Sequence, residues 1–122
     1  MVRKINVGSK IKSTGTGGFS FEGQTTKYFD NHIAKSIPFF EESHKLTSKL
    51  STFFISNKST VYDLGCSTGL TSRAIANNNI NKNFRIVGID ISKDMINKAK
   101  SNTNKKKYNK IKISYLCRDV LK

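Results

Sequence analysis

From residue 60 onward, short apolar runs alternate with amphipathic stretches along the chain. The apolar runs predict strands at residues 60–64, 84–89 and 111–116. The stretches between them, residues 68–77 and 92–100, carry apolar residues at helical spacing. Because strands separated by helices pair in parallel through right-handed crossovers, we predict an α/β fold with a Rossmann-like parallel sheet.

Two helices are predicted ahead of this sheet. The first covers residues 26–37, where apolar residues recur at helical spacing until Pro38 interrupts them. The second covers residues 40–55, and four apolar residues form one face that we expect to be buried: Leu46, Leu50, Phe53 and Phe54. Much of residues 1–26 is rich in Gly, Ser and Thr, so we predict a flexible tail there and a partial domain over residues 27–122.

Acidic residues are scarce, yet three of the eight lie in or just after a predicted strand. They are Asp63, Asp90 and Asp119. The carboxyl ends of parallel strands meet at one edge of a sheet, where ligands of open α/β folds bind. We therefore predict that these three carboxylates form part of one site. The alternative for each is a local role, in which the aspartate caps a helix or shapes a loop.

The segment Gly65-Cys66-Ser67-Thr68-Gly69 joins the first predicted strand to a helix, as in nucleotide-binding loops. Gly65 permits the turn, and Gly69 permits close packing of the helix. Asp90 stands 25 positions after Gly65, which fits an acceptor of ribose hydroxyl hydrogen bonds. The dinucleotide pattern has a further glycine where Ser67 stands, so the loop favours a nucleoside ligand without a pyrophosphate.

Three motifs together resemble class I S-adenosylmethionine-dependent methyltransferases: residues 63–69 (DLGCSTG), 87–92 (VGIDIS) and 95–99 (MINKA). Cys66 and Ser67, after the first glycine, are similar to carboxy-S-adenosylmethionine synthases, which modify the cofactor for tRNA wobble-uridine modification. Residues 28–38 (YFDNHIAKSIP) resemble the stretch of that subfamily that forms a helical lid over the cofactor. The subfamily has a tyrosine just after this proline, whereas this chain has Phe39 and Phe40.

The resemblance implies a ligand, S-adenosylmethionine or its carboxylated form, and assigns residues to it. The glycine loop would lie by the methionine moiety, Asp90 would bind the ribose, and Ile91 and Asp119 would border the adenine. Met95 is a further candidate, although its helical spacing favours a place in the core. The predicted cofactor-binding residues are therefore Asp63, Gly65, Cys66, Ser67, Gly69, Asp90, Ile91 and Asp119. No metal site is predicted, and no catalytic residue is assigned.

Class I methyltransferases normally have seven strands, whereas this sequence predicts three, the first three of that fold. The resemblance places the first predicted strand in the middle of the complete sheet, so here it would form an exposed edge. Three explanations stay open. The chain is truncated, a second polypeptide completes the sheet, or two copies form a homodimer through that edge.

The chain carries 22 Lys and Arg against 8 Asp and Glu, a formal net charge of +14. This charge favours tRNA or another RNA as a partner. However, 18 of the 22 are lysine, and Lys, Asn and Ile share A/T-rich codons, so genome composition explains the charge equally well. Two alternative functions follow: a basic RNA-binding module without catalysis, and an NAD-type nucleotide-binding half domain, against which Ser67 and Asp63 count.

The sequence shows no membrane-spanning apolar run and no signal peptide, so we expect a cytoplasmic protein without membrane contact. Its two cysteines, Cys66 and Cys117, are far apart and have no CxxC partner. We expect both to be reduced, buried and inert.

Overall fold

The computed structural model describes residues 13–14, 18–19 and 24–122, with side chains from residue 28 onward. The first two segments form a short antiparallel pair, β1 (Ser13–Thr14) and β2 (Gly18–Phe19). The remainder of the predicted tail, residues 1–12, 15–17 and 20–23, lies outside the described residues. The flexible tail therefore stays a prediction.

The core of the fold is a three-stranded parallel sheet in the order β3-β4-β5. Its strands are β3 (Thr60–Leu64), β4 (Phe84–Asp90) and β5 (Ile111–Cys117). The helices between them are α3 (Leu70–Asn78) and α4 (Lys93–Asn102). The predicted Rossmann-like sheet is confirmed, and β3 is an edge strand within the described chain.

One face of the sheet carries the hydrophobic core. Alternate residues of β4 and β5 point to this face, and they pack with Ile75 of α3 and with Ile96 and Ala99 of α4. The opposite face is open among the described residues, and it exposes Tyr62 and Leu64 of β3 to solvent. The sheet is therefore covered on one side only.

Two helices precede the sheet, as predicted: α1 (Gln24–Ser36) and α2 (Phe40–Phe54). The predicted buried face of α2 is wrong, because Leu46, Leu50, Phe53 and Phe54 are all exposed, the last two by more than 80% (81% and 83%). The buried residue of α2 is a serine, Ser48, which is 3% exposed.

Polar contacts explain this orientation of α2. The Asn78 side chain donates to Ser48 Oγ over 2.7 Å, and the Asn79 side chain donates to Ser51 Oγ over 2.9 Å. Lys82 Nζ donates to the carbonyls of Thr52 and Ile55, where the end of a helix leaves acceptors free. These bonds turn the polar side of α2 toward α3 and leave its apolar side outward. Among the described residues, no helix is both long and apolar enough to cross a membrane.

Candidate functional site

The loop between β3 and α3 turns sharply because three of its five residues have positive φ. Gly65 has φ 73°, Ser67 has φ 48° and Gly69 has φ 76°. The N–H groups of Gly65 and Cys66 both donate to the carbonyl of Ile89, over 2.8 and 3.0 Å. The loop therefore folds back against the end of β4. Ser67 adopts this left-handed conformation at a cost of roughly 1 kcal/mol, which a glycine would not incur.

Two glycines make room behind this loop for the ring of Tyr115. A Cβ at Gly69 would lie 2.6 Å from Tyr115 Oη, and a Cβ at Gly88 would lie 2.6 Å from Tyr115 Cδ1. The Tyr115 hydroxyl forms a 2.9 Å hydrogen bond with Thr103 Oγ1, and burial raises the pKa of this tyrosine above its usual value. The buried ring thus supports the loop from below. Nothing in the sequence pattern singled out Tyr115.

Asp90, the last residue of β4, connects the loop to α4 through its carboxylate. Its Oδ2 atom accepts from the Ser67 N–H over 2.8 Å, and its Oδ1 atom accepts from the Ser92 N–H over 2.9 Å. Ser92 is the N-cap of α4, and its Oγ accepts from the Met95 N–H. Each carboxylate oxygen has two acceptor positions, so Asp90 keeps capacity for a ligand hydroxyl.

Two further aspartates, which do not line a cavity beside Asp90, accept hydrogen bonds from hydroxyl groups in the loop and in α3. Asp63 Oδ2 accepts from the Ser72 hydroxyl over 2.6 Å. Asp30 Oδ1 accepts from the buried Thr68 hydroxyl over 2.5 Å. Arg73 Nη1 also donates to the Thr68 carbonyl over 2.6 Å. Asp30 lies on α1, so this helix is bonded directly to the glycine loop.

A cavity of about 340 Å³ opens where β4 and β5 end, beside the glycine loop. This volume is at the lower end of the range for small-molecule sites. Asp90 and Asp119 contribute carboxylates to its lining, while Ile91, Met95 and Val120 contribute apolar surface. Asp119 Oδ1 accepts from the Leu121 N–H over 2.9 Å. The cavity thus combines acceptors with apolar walls, as a nucleoside requires.

The structure brings five of the eight predicted site residues together. Lining the cavity are Gly65, Ser67, Asp90, Ile91 and Asp119. The other three, Asp63, Cys66 and Gly69, lie outside the lining and build the base of the loop. Sequence reasoning missed Arg118, Val120 and Leu121, which line the cavity beside Asp119. The signal available in the sequence was that these residues are direct neighbours of the predicted site residue Asp119.

Cys66 is buried under the loop, as predicted. Burial raises the pKa of its thiol to about 12, and the carboxylates of Asp63 and Asp90 act in the same direction. The thiol therefore stays protonated at neutral pH and is a poor nucleophile. The prediction for Cys117 is wrong in one respect, because this free cysteine at the end of β5 is exposed. Cys117 lies on the same side of β5 as the buried Ile113 and Tyr115, but it is the last residue of the strand, where the burial pattern ends.

The described residues hold no group of three or more His, Cys, Asp and Glu side chains that would bind a metal ion. The chemistry of the site rests instead on carboxylates and backbone N–H groups. The carboxylates can accept from sugar hydroxyls and exocyclic amines, and the backbone N–H groups can donate to ligand oxygen atoms.

Comparisons with known proteins agree with this geometry. Residues 55–117 match the methyltransferase-domain family. The chain is 34% identical over 104 residues to the carboxy-S-adenosyl-L-methionine synthase of Haemophilus ducreyi, a match that covers 85% of this chain and 42% of that protein. It is 38% identical over 69 residues to the synthase of the same name from Staphylococcus epidermidis, covering 57% of this chain and 30% of that protein. The chain therefore spans less than half the length of these relatives.

A solved structure shares the fold. The plantazolicin methyltransferase BpumL, determined in complex with SAH, superposes with a TM-score of 0.53 at 22% identity. The superposition covers 82% of this chain and 36% of that one.

Proposed function

This chain belongs to the methyltransferase-domain family, and from that membership we propose that it binds S-adenosylmethionine at the carboxyl edge of its sheet. The observation that carries the proposal is the position of Asp90. Its carboxylate joins the glycine loop to the start of α4 and also lines the cavity. An acid at this point of an open α/β sheet is where a ribose binds.

Each wall of the cavity has a role in this proposal. Asp90 would accept hydrogen bonds from the ribose hydroxyls, and Asp119 would accept one from the exocyclic amine of adenine. Ile91, Met95 and Val120 would flank the base with apolar surface. The methionine moiety would lie along the glycine loop, whose sharp turn exposes Gly65 to solvent. The loop lacks the central glycine of dinucleotide sites, and this argues against NAD.

Two reactions fit a cofactor held in this way. Bound S-adenosylmethionine would supply an activated methyl group for transfer. Alternatively, this methyl group would lose a proton and form a C–C bond to the carboxyl group of a carboxylic acid co-substrate; the co-substrate's own C–C bond to that carboxyl group would break, and its remainder would take up the proton. The product of this second reaction is a carboxylated cofactor, of the kind in the names of the relatives. We propose the second reaction class for the complete protein, with a role linked to tRNA modification in the cytoplasm. The chain's own contribution is to bind and orient the cofactor, since positioning supplies much of the rate in such transfers.

Helix α1 would cover the cofactor as a lid. Asp30 bonds α1 to Thr68 in the middle of the glycine loop, so the helix is attached next to the cavity. Ligand binding that moves the loop would therefore also move the helix. The residues after α1 differ from the subfamily, because Phe39 is 78% exposed and carries no hydroxyl.

Catalysis in this proposal requires more polypeptide at the β3 edge. The chain spans 42% of its Haemophilus ducreyi relative. β3 pairs with β4 on one side, and its exposed Tyr62 and Leu64 offer an apolar surface for further polypeptide. That polypeptide is a continuation of the same chain, a second protein or a second copy. Sedimentation of the wild-type chain and of the Leu64→Lys variant tests the last of these, a second copy. A homodimer formed through this edge would dissociate in the variant.

The proposal is tested by calorimetric titration of the chain with S-adenosylmethionine, S-adenosylhomocysteine and NAD. We expect heat from the first two ligands and none from NAD. Heat from NAD alone would instead favour the nucleotide-binding half domain. No heat from any ligand, combined with RNA binding, would favour the basic module without catalysis. Mass spectrometry of the cofactor after incubation with the complete protein distinguishes methyl loss from gain of a carboxyl group.

A further inference from the structure

Eight of the 22 cationic residues of this protein lie at the amino edge of the sheet, opposite the candidate cofactor site, with no acid among them. Three loops and the first residues of the strands meet there: residues 55–60, 79–85 and 103–112. These segments contain no Asp or Glu. Their cationic residues are Lys58, Lys82, Arg85, Lys105, Lys106, Lys107, Lys110 and Lys112.

Four of the eight acids lie at the other edge. Asp63, Asp90, Asp94 and Asp119 all stand at or beyond the carboxyl ends of the strands or in the first turn of α4. A genome rich in A and T raises the number of lysines in a protein, but it does not sort them from the acids in space. What distinguishes the amino edge is that its eight cations have no acid among them.

A cleft of about 550 Å³ opens at this basic end. Four cations line it, Lys58, Arg85, Lys110 and Lys112, together with side chains that include Asn83 and Asn109. Arg85 and Lys112 are register partners on β4 and β5, so two exposed positive charges stand side by side on neighbouring strands. Adjacent strands are only about 5 Å apart, and like charges at that distance repel each other.

Among residues 28–122, no opposite charge relieves this repulsion. Where side chains are described, none of the eight cations forms an ion pair, and the salt bridge that does form joins Lys122 to Asp119 at the opposite edge. Lys82 and Lys107 donate to neutral oxygen atoms, of Thr52 and Ile55 and of Asn77 respectively. An anion in the cleft would remove this unfavourable energy.

We propose that this amino-edge cleft binds the phosphate backbone of a nucleic acid. Lysine, arginine and asparagine side chains are the usual donors to phosphate and sugar oxygens. The aromatic residues of the three segments, Phe84 and Tyr108, are buried, so they offer no stacking platform for bases. Binding is therefore expected to follow charge and shape and not sequence. The cleft is separate from the cofactor cavity, and both sites can be filled together.

The test compares two variants of equal net charge. The cleft variant carries Lys58→Asn, Arg85→Gln, Lys110→Gln and Lys112→Gln. The control variant removes four exposed lysines outside the amino edge by Lys35→Gln, Lys45→Gln, Lys49→Gln and Lys93→Gln. Fluorescence anisotropy measures binding of each protein to a labelled folded RNA and to a labelled DNA duplex between 50 and 200 mM salt. Circular dichroism checks that each variant is folded.

We expect the cleft variant to bind about 100-fold or more weakly than the wild type at 0.1 M salt. The slope of log K against log salt should fall by about 3, since four phosphate contacts are lost. The control variant should keep most of the affinity and slope. Tighter binding of RNA than of DNA, or the reverse, identifies the source of the phosphates. If the cleft variant does not fold, Lys110→Gln with Lys112→Gln should remove about half of the slope change.

Equal losses in the two variants would overturn the proposal, because binding would then depend on net charge alone. It would also be overturned if the protein bound vesicles containing phosphatidylserine but no nucleic acid, and if Phe53→Ser with Phe54→Ser abolished that binding. The cleft variant should still bind S-adenosylmethionine as the wild type does. Failure of the cleft proposal is therefore distinguishable from failure of the cofactor proposal.

Discussion

Replacement of Asp90 by asparagine tests the centre of the candidate site. The carboxylate accepts two backbone N–H groups, those of Ser67 and Ser92, with one oxygen each. Asparagine has one oxygen, and its NH₂ group would face the second N–H donor. The variant therefore loses one hydrogen bond to a charged acceptor, and the other becomes a neutral bond.

The magnitude follows from these two bonds. A hydrogen bond to a charged group contributes about 1.5–3 kcal/mol, and partial exposure of Asp90 places the loss near the lower end. We expect Asp90→Asn to lower the free energy of unfolding by about 1.5 kcal/mol, or Tm by roughly 4–8 °C. The lost ribose contacts should weaken S-adenosylmethionine binding by a further 1–3 kcal/mol or so, which is about 5- to 150-fold in Kd.

Two measurements separate the structural effect from the binding effect. Thermal denaturation without ligand reports the loop bonds, and calorimetry below the Tm reports the ribose contacts. Asp94→Asn is the matched control, because it removes the same charge from the first turn of α4 without touching the cavity. A folded Asp90→Asn protein with the affinity of the wild type would refute the ribose assignment. An unchanged Tm would refute the role of Asp90 in holding the loop.

The loop and the packing beneath it support four further predictions. Ser67→Gly should raise the free energy of unfolding by roughly 1 kcal/mol in chemical denaturation, because glycine adopts φ 48° without strain. Gly88→Ala should lower the free energy of unfolding by about 1–3 kcal/mol, because the added Cβ would lie 2.6 Å from Tyr115 Cδ1. In the double variant with Tyr115→Leu, the loss of stability should be smaller than the sum of the two single losses. A thiol reagent at pH 8 should modify Cys117 but not Cys66 in the folded protein, and two modified thiols would contradict the burial of Cys66. The pKa of Cys66 is raised from 9.0 to about 12, so the stability it contributes is complete below pH 9 and is lost toward pH 12, a loss that Cys66→Ala should reduce.

The sheet and the glycine loop could be predicted because their signals are local. Each strand is a continuous apolar run, and each helix has its own apolar spacing, so the elements were found within two residues of their ends. The predicted start of the first inter-strand helix at residue 68 was too early, because Gly69 has φ 76° and α3 begins at Leu70. The convergence of Asp90 and Asp119 followed from the parallel topology alone.

The contacts that fix the loop were beyond sequence reasoning, because they join distant segments. Asp30 and Thr68 are 38 positions apart, and neither periodicity nor a motif relates them. Tyr115 fills the space left by Gly69 and Gly88, which is a matter of shape between three elements. Such pairings depend on how the helix and the strands pack against each other, and local patterns in a single sequence do not predict that packing.

The error on α2 shows what an apolar face does and does not imply. Periodicity correctly finds that Leu46, Leu50, Phe53 and Phe54 share one side of the helix, but it does not say which neighbour lies there. The neighbour within the described chain is α3, whose end presents the amides of Asn78 and Asn79 and therefore selects the serine side of α2. Large exposed apolar surfaces on soluble proteins mark interaction sites. The same argument applies to the apolar side of α2 and to the open face of the sheet. Neither surface has a partner among the described elements, so no pattern within this chain predicts what covers it.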